Sequence, residues 1–249
     1  MTRDCWLVLG ASSSVARAFA RLVAGEGAAL LLAGRDLEDL ERSAADLRAR
    51  GATSVQVLAF DAADYGSHDA FVARCKAARG PDRRLNVFLA FGLMPDQAAI
   101  DADPSLVVDT IAANFTGAAS VLQRLAPVLE EQRAGQVIVL TSVAGDRGRL
   151  KNYVYGAAKA GLNAYLQGLR ARLFRSGVTV TTVKAGFLDT AMTFGLPGLF
   201  LVASPEACAA ACKRHGTKGR EVVYFPAFWL GIMTVIRAIP ERIFKRLSI

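Results

Sequence analysis

Cysteine is scarce in this chain, with Cys5, Cys75, Cys208 and Cys212 the only four in 249 residues. So few, spread so widely, make no disulfide framework and fit a reducing compartment. Histidine is rarer still, at His68 and His215. No paired Cys/His set supplies the ligands of a tetrahedral metal site, so no metal is expected. Neither histidine stands beside a candidate nucleophile, which removes the usual hydrolase arrangement. The first ten residues, MTRDCWLVLG, have neither the long apolar stretch nor the small-residue cleavage site of a signal peptide, so a cytoplasmic location is expected. No low-complexity tract, internal repeat or Pro/Gly/Ser linker divides the sequence.

What is present points to one folded unit. At 53% hydrophobic and 21% charged residues the chain can bury a large core. Acidic residues are outnumbered 22 to 30, a formal net charge of +8. The excess is concentrated between Lys213 and Ile249, where eight basic residues face only Glu221 and Glu241. A basic end of this kind suits an anionic surface, either nucleic acid or membrane, or is simply solvated. Its aromatic residues lie in the uncharged stretch Val222–Ile236 rather than between the charges, which argues against nucleic acid. That stretch holds Pro226 and is shorter than the roughly 20 residues needed to span a bilayer. Beyond it, Ile243, Phe244 and Leu247 share one helical side, with Arg242, Lys245 and Arg246 around the other. Such an end can lie in a membrane interface or pack at a subunit contact.

Six short apolar runs read as strands: Cys5–Leu9, Ala28–Ala33, Val55–Phe60, Leu85–Ala90, Val137–Leu140 and Val178–Val183. Uncharged on both faces, they fit strands covered by helices on each side. Helix-like segments lie between them, including Ala16–Ala24, the amphipathic Asp36–Arg50 and the long Pro104–Arg133. This alternation predicts an α/β fold: a single Rossmann-type, doubly wound parallel sheet with helices on both faces, ending in an apolar and basic helical extension. The whole of 1–249 is expected to be one domain, with 187–220 covering the substrate and 226–249 forming the helical tail.

In open α/β sheets ligands bind at the carboxyl ends of the strands. Polar or small residues follow the apolar runs at Gly10–Ser14, Arg35, Asp61, Gly92, Thr141–Ser142 and Gly186–Thr190. The first turn, Gly10-Ala11-Ser12-Ser13-Ser14-Val15-Ala16, is small enough to bring backbone N–H groups to a pyrophosphate at a helix N-terminus, with Ser14 a candidate cap. It carries only one glycine, so the turn alone reads equally well as a capped loop. Arg35 stands after the second strand, where an acid would bind a ribose and an arginine accepts a 2′-phosphate, so NADPH is expected over NADH.

Tyr155 and Lys159 are four residues apart and share a helical face, and Ser142 lies thirteen residues upstream at a strand end. An ammonium near a phenol lowers the phenol pKa, and a serine hydroxyl can hold a carbonyl oxygen. With these pieces the sequence resembles the short-chain dehydrogenase/reductases over nearly its whole length. The resemblance rests on Gly10, Asp61, Ala90-Phe91-Gly92, Asn114, Ser142, Tyr155, Lys159, Gly186 and Thr190. It implies cofactor contacts from the turn (Gly10, Ser12, Ser13, Ser14, Val15), from Asp61 and Ala62 to adenine, and from Ala90, Phe91, Gly92, Gly186, Leu188 and Thr190. Lys159 would hold the nicotinamide ribose, and Asn114 a water of a proton relay. Two departures are the missing later glycines and Ala185 in place of a proline before Gly186.

The segments VFLAFGLMPD, TSVAGDRGRLKNYVYGAAKAGL and GREVVYFPAFWLGIMTVIRAIPERIFKRLSI further resemble the decaprenylphosphoryl-2-keto-pentose reductases. That subgroup implies a polyprenyl-phosphoryl 2-keto-pentose substrate, reduced to the arabinose form, a flavin-dependent oxidase partner and a homodimer or homotetramer. Arg147, Arg149 and Lys151, between Ser142 and Tyr155, would rim the pocket and meet a phosphodiester, or form an ordinary basic loop exposed to water. The covering stretch Phe187–Val202, with Phe194, Leu196, Leu199 and Phe200, suits a prenyl chain, and equally a lid over a steroid or plain core packing. Rival readings are the same chemistry on a steroid, retinoid or fatty-acyl ketone, and a non-catalytic dinucleotide-binding regulator. The latter has no use for a tuned phenol.

Overall fold

The apolar runs do assemble side by side. The computed structural model describes residues 3–195 and 200–247, and its seven strands form one parallel sheet. They are β1 (Arg3–Leu9), β2 (Ala29–Gly34), β3 (Ser54–Ala59), β4 (Arg83–Leu89), β5 (Gln136–Ser142), β6 (Thr179–Ala185) and β7 (Val222–Phe225). Their spatial order, β3-β2-β1-β4-β5-β6-β7, reverses direction between β1 and β4. That reversal opens a crevice at the carboxyl ends, where a doubly wound sheet takes its ligand.

Alternation along each strand builds two cores. Cys5, Leu7 and Leu9 of β1 face a layer made by α3 (His68–Arg79), α6 (Gly117–Gln132) and α7 (Tyr153–Phe174). Trp6 and Val8 face the opposite layer of α1 (Ser14–Gly25), α2 (Leu37–Ala49) and α8 (Pro205–Thr217). There Phe19 of α1 stacks on Phe88 with ring centroids 4.0 Å apart. Local signals set the helix ends: Asp36 caps α2 by accepting from Asp39 N, and Ser204 caps α8 ahead of Pro205.

Four sequence expectations change. The helix after the first turn starts at Ser14, and its cap is Ser13, whose Oγ accepts from Ala16 N. The edge strand β3 is only partly buried, because nothing pairs with its outer side. The long Pro104–Arg133 segment divides: α4 (Gln97–Ala102) precedes α5 (Ser105–Ile111), a π turn at Ala112–Thr116 follows, and then α6. The stretch 187–220 is not all covering loop, since α8 packs Cys208 and Cys212 into the sheet core. Its Leu196 and Leu199 lie outside the described residues.

The beginning of the uncharged stretch Val222–Ile236 is β7, an additional strand hidden by its tail-like composition. It leads into α9 (Trp229–Ala238) and α10 (Glu241–Phe244). Trp229, Met233 and Val143 form a third, small core. Phe244 turns inward instead of joining Ile243 on an exposed apolar side.

Candidate active site

Residues from several strand ends meet at the β1/β4 crevice. Gly10 leaves β1 with φ +77°, and a Cβ there would sit 2.6 Å from the Phe91 Cβ. Only glycine takes this backbone so close to the β4 exit. Ser12, Ser13, Ser14 and Val15 then enter α1, lining a cleft of about 610 Å³. A neighbouring cleft of about 520 Å³ runs from Gly10 past Arg35 to Asp61 and Ala62. Ala90, Phe91 and Gly92 line both clefts and so join them. Arg35 is exposed and makes no ion pair among the described residues. Arg17, by contrast, is engaged by Asp39, Ser43 and the Ser12 carbonyl.

The larger cleft carries the reacting groups. Ser142, the last residue of β5, accepts from Ala144 N at 3.1 Å, which orients its Oγ at the mouth of the strand. Tyr155 and Lys159 project from the first turns of α7 into the same cleft. Their common face, expected from spacing, is observed, with Lys159 Nζ 5.5 Å from the Tyr155 ring centroid. Burial pushes the Tyr155 hydroxyl up to about 12, against the opposing pulls of the Ser142 hydrogen bond and the Arg149 charge. Burial also brings Lys159 down to about 8. The expected lowering of Tyr155 by Lys159 is therefore not what dominates: withdrawal from water outweighs every neighbouring charge. The result is a neutral phenol at neutral pH, in the form that donates a proton.

Asn114 lies on the π turn, which directs its side chain inward beneath Gly92. Its Nδ2 donates to the Thr110 and Leu93 carbonyls, and its Oδ1 accepts from Leu93 N at 3.2 Å. These bonds clamp the chain leaving β4 to the π turn. Gly92 leaves the room this needs, since a Cβ there would be 2.7 Å from Asn114 Oδ1 and 3.3 Å from Lys159 Nζ. Gly186, Leu188 and Thr190 line the far wall. A Cβ at Gly186 would collide with the Trp229 indole at 1.8 Å, so the tail rests directly on this turn.

The residues expected to meet substrate separate. Arg147 turns away and donates to the Ile236, Arg237 and Ile239 carbonyls at 3.0, 3.1 and 2.6 Å. It also pairs with Glu241 and lies 3.9 Å over the Phe244 ring, so it caps the C-terminus of α9 and cannot also rim the cleft. Lys151 is exposed and outside the cleft lining. Phe194 is 89% exposed, and Phe200 packs on Phe187 and Trp229. Neither lines the cleft. Arg149 does, together with Asn152, Met94 and Thr193, three residues outside the expected site set.

Comparison with known proteins agrees with this geometry. The short chain dehydrogenase family profile matches residues 4–196. An uncharacterized oxidoreductase of Mycobacterium tuberculosis is 35% identical over 241 residues, covering 97% of this chain and 96% of that protein. Another from Streptomyces coelicolor is 37% identical over 246 residues, covering 98% of this chain and 95% of the relative. A tryptophan variant of an actinorhodin polyketide ketoreductase, solved with NADPH, superposes with a TM-score of 0.78 over 89% of this chain and 95% of its own. At 20% identity that likeness concerns the fold. Sheet order, crevice, the Ser142, Tyr155 and Lys159 arrangement and these relatives agree: the chain belongs to the short-chain dehydrogenase family of NAD(P)-dependent oxidoreductases.

Proposed function

We propose that the protein reduces a ketone to a secondary alcohol, with NADPH as its preferred hydride donor and NADH the alternative. The observation that carries this reading is the meeting of Ser142, Tyr155 and Lys159 in a cleft continuous with one that reaches Arg35. The residues fit a dinucleotide. Gly10 gives the close backbone approach, Ser12–Ser14 open α1 toward the crevice, and Arg35 offers an uncommitted cation for a 2′-phosphate. When bound, the nicotinamide supplies a hydride to the carbonyl carbon.

The chain's own groups handle the oxygen. Ser142 Oγ, fixed by the Ala144 N–H it accepts, donates its proton to the carbonyl oxygen. Tyr155, kept protonated by burial, hands its proton to that oxygen as negative charge develops. The Lys159 ammonium supports the phenolate left behind and would hold the nicotinamide ribose of a bound cofactor. Asn114 acts as a positioning residue through Leu93.

A polyprenyl-phosphoryl 2-keto-pentose is the specific substrate we put first. Its support is the subgroup resemblance and the apolar tail, where Phe228, Leu230, Val235 and Ile243 are exposed among Arg237, Arg242, Lys245 and Arg246. The same surface supports peripheral membrane contact of a cytoplasmic protein. The flavin-dependent oxidase partner and a homodimer or homotetramer rest on the resemblance alone. A neutral lipid ketone is the second reading. It is favoured by the withdrawal of Arg147 and by the lining of Leu93, Met94, Leu140, Phe187 and Met192.

The test is cofactor oxidation at 340 nm with NADPH and NADH. The ketones are the keto-sugar lipid, generated in place by an oxidase, and a panel of neutral ones. Tyr155→Phe should lower turnover by about 10²–10⁴-fold while NADPH affinity, read by fluorescence titration, stays within threefold. A near-wild-type rate in that variant overturns the assignment.

A further inference from the structure

Of the three basic residues between Ser142 and Tyr155, one enters the cleft. Arg149 lines it beside Ser142 and Tyr155, and its charge acts on the Tyr155 hydroxyl. Its Nε is shut off from solvent and has no hydrogen-bond partner among the described residues. Asn152 Oδ1, lining the same cleft three residues on, is also shielded and unpaired.

Arg149 makes no salt bridge among the described residues, and the one acid whose charge reaches it, Asp146, is committed elsewhere. Asp146 is held by Lys184 at 2.6 Å and by the Tyr224 hydroxyl at 2.7 Å. A guanidinium nitrogen shut off from water without a partner is costly, and partial burial lowers the Arg149 pKa. Packing does not require it, because the loop around it, Gly148 to Lys151, is largely exposed. The arrangement suits a ligand that brings its own negative charge.

We propose that the cleft selects carbonyl compounds bearing an anionic substituent, a carboxylate or a phosphate ester, held by Arg149 while Ser142 and Tyr155 hold the carbonyl oxygen. This rests on the reductase reading above and narrows its substrate class. Arg149 forms the charge-assisted pair, whose planar fork matches either anion. Asn152 Oδ1 takes a hydroxyl next to it.

Two matched pairs of ketones test it: dihydroxyacetone phosphate against dihydroxyacetone, and 4-oxopentanoate against its methyl ester. Each is followed by NADPH oxidation in the wild type, Arg149→Met and Arg149→Lys. The wild type should show a KM about 10- to 100-fold lower for the anionic member of at least one pair. Which pair does so distinguishes phosphate from carboxylate. Arg149→Met should erase the difference by raising KM for the anionic member about 10- to 100-fold while KM for the neutral member moves far less, whatever the change in kcat common to both, and Arg149→Lys should restore part of it. Calorimetric titration of NADPH-loaded Tyr155→Phe protein with the same compounds, with and without Arg149→Met, reads the anion contact without turnover. If the reductase reading fails, that titration still decides the role of Arg149. Equal affinity for both members of both pairs would overturn the proposal. So would an Arg149→Met variant that keeps the KM difference, loses kcat equally on charged and neutral ketones and shifts the pH profile, since Arg149 would then act on Tyr155 alone.

Discussion

The two sides of the crevice are built by different means. On the β1 and β2 side the ligand wall is backbone: Gly10 against Phe91, Gly34 at the end of a fully buried β2, and a helix opened by Ser13. On the β6 and β7 side the wall is held from behind by side chains far apart in sequence. Trp229 covers Gly186, and Arg147 ties the loop after β5 to α9 and α10, about ninety residues later. The first side has its form dictated by residues that can go nowhere else. The second has a form that depends on a few long contacts, each of which can be removed singly. A cofactor common to many enzymes suits the first, and a substrate wall that must differ between relatives suits the second.

The sharpest way to break this contrast is Trp229→Ala. The indole is buried and packs on Phe187, Phe200 and Phe228, with ring centroids 5.5 to 5.9 Å away. Its loss should cost about 3–5 kcal/mol, read as a lower denaturant midpoint, and hydrogen exchange should rise in α9 before β1. Uniform exchange through the whole sheet would show that the two sides do not differ. Arg147→Ala comes next. Removing the cap on three carbonyls at the end of α9 should cost about 2 kcal/mol. Arg147→Lys should recover little, since an ammonium cannot span the same carbonyls. A wild-type midpoint in Arg147→Ala would mean that α9 docks without it.

The same contrast decides what could be read in advance. Ser142, Tyr155 and Lys159 were legible because strand end and helical spacing are local, and the structure unites them. Gly10 and the strands of the inner sheet were legible for the same reason. Arg147 was not, because its identity as a cap depends on where residues 236–241 fold back, and nothing near position 147 records that. Reading it together with Arg149 and Lys151 as one basic rim treated three neighbours as one surface, whereas the turn sends them in three directions. β7 was missed because an edge strand of four residues in an apolar stretch has the composition of the helix that follows it. Asn114 was found, yet its clamp on Leu93 depends on a π turn that sequence spacing does not announce.

A smaller effect is expected on the backbone-built side, at its one exposed specificity element. Arg35→Ser should lower the NADPH over NADH preference by about tenfold, measured as the ratio of kcat/KM values, with little change in thermal midpoint. The residue lines the cleft and is exposed, so fold and preference should separate. An unchanged ratio would move the 2′-phosphate contact elsewhere on this wall.

The effect smallest near neutrality is one of pH, and it joins the two sides at α7. Lys159 has its pKa brought down to about 8 by burial, while Tyr155 is pushed up to about 12. A lysine is charged below its pKa, so reduction supported by its ammonium should be level near pH 7. It should fall to about half by pH 8 and then about tenfold per further pH unit. Tyr155 remains protonated throughout this window and contributes no limb there. Lys159→Arg keeps the charge at all these pH values, so the fall should move well to higher pH even though the variant is slower overall. A limb that stays near 8 in Lys159→Arg would assign the titration to another group, and would leave Tyr155 tuned by Ser142 and Arg149 rather than by its helical neighbour.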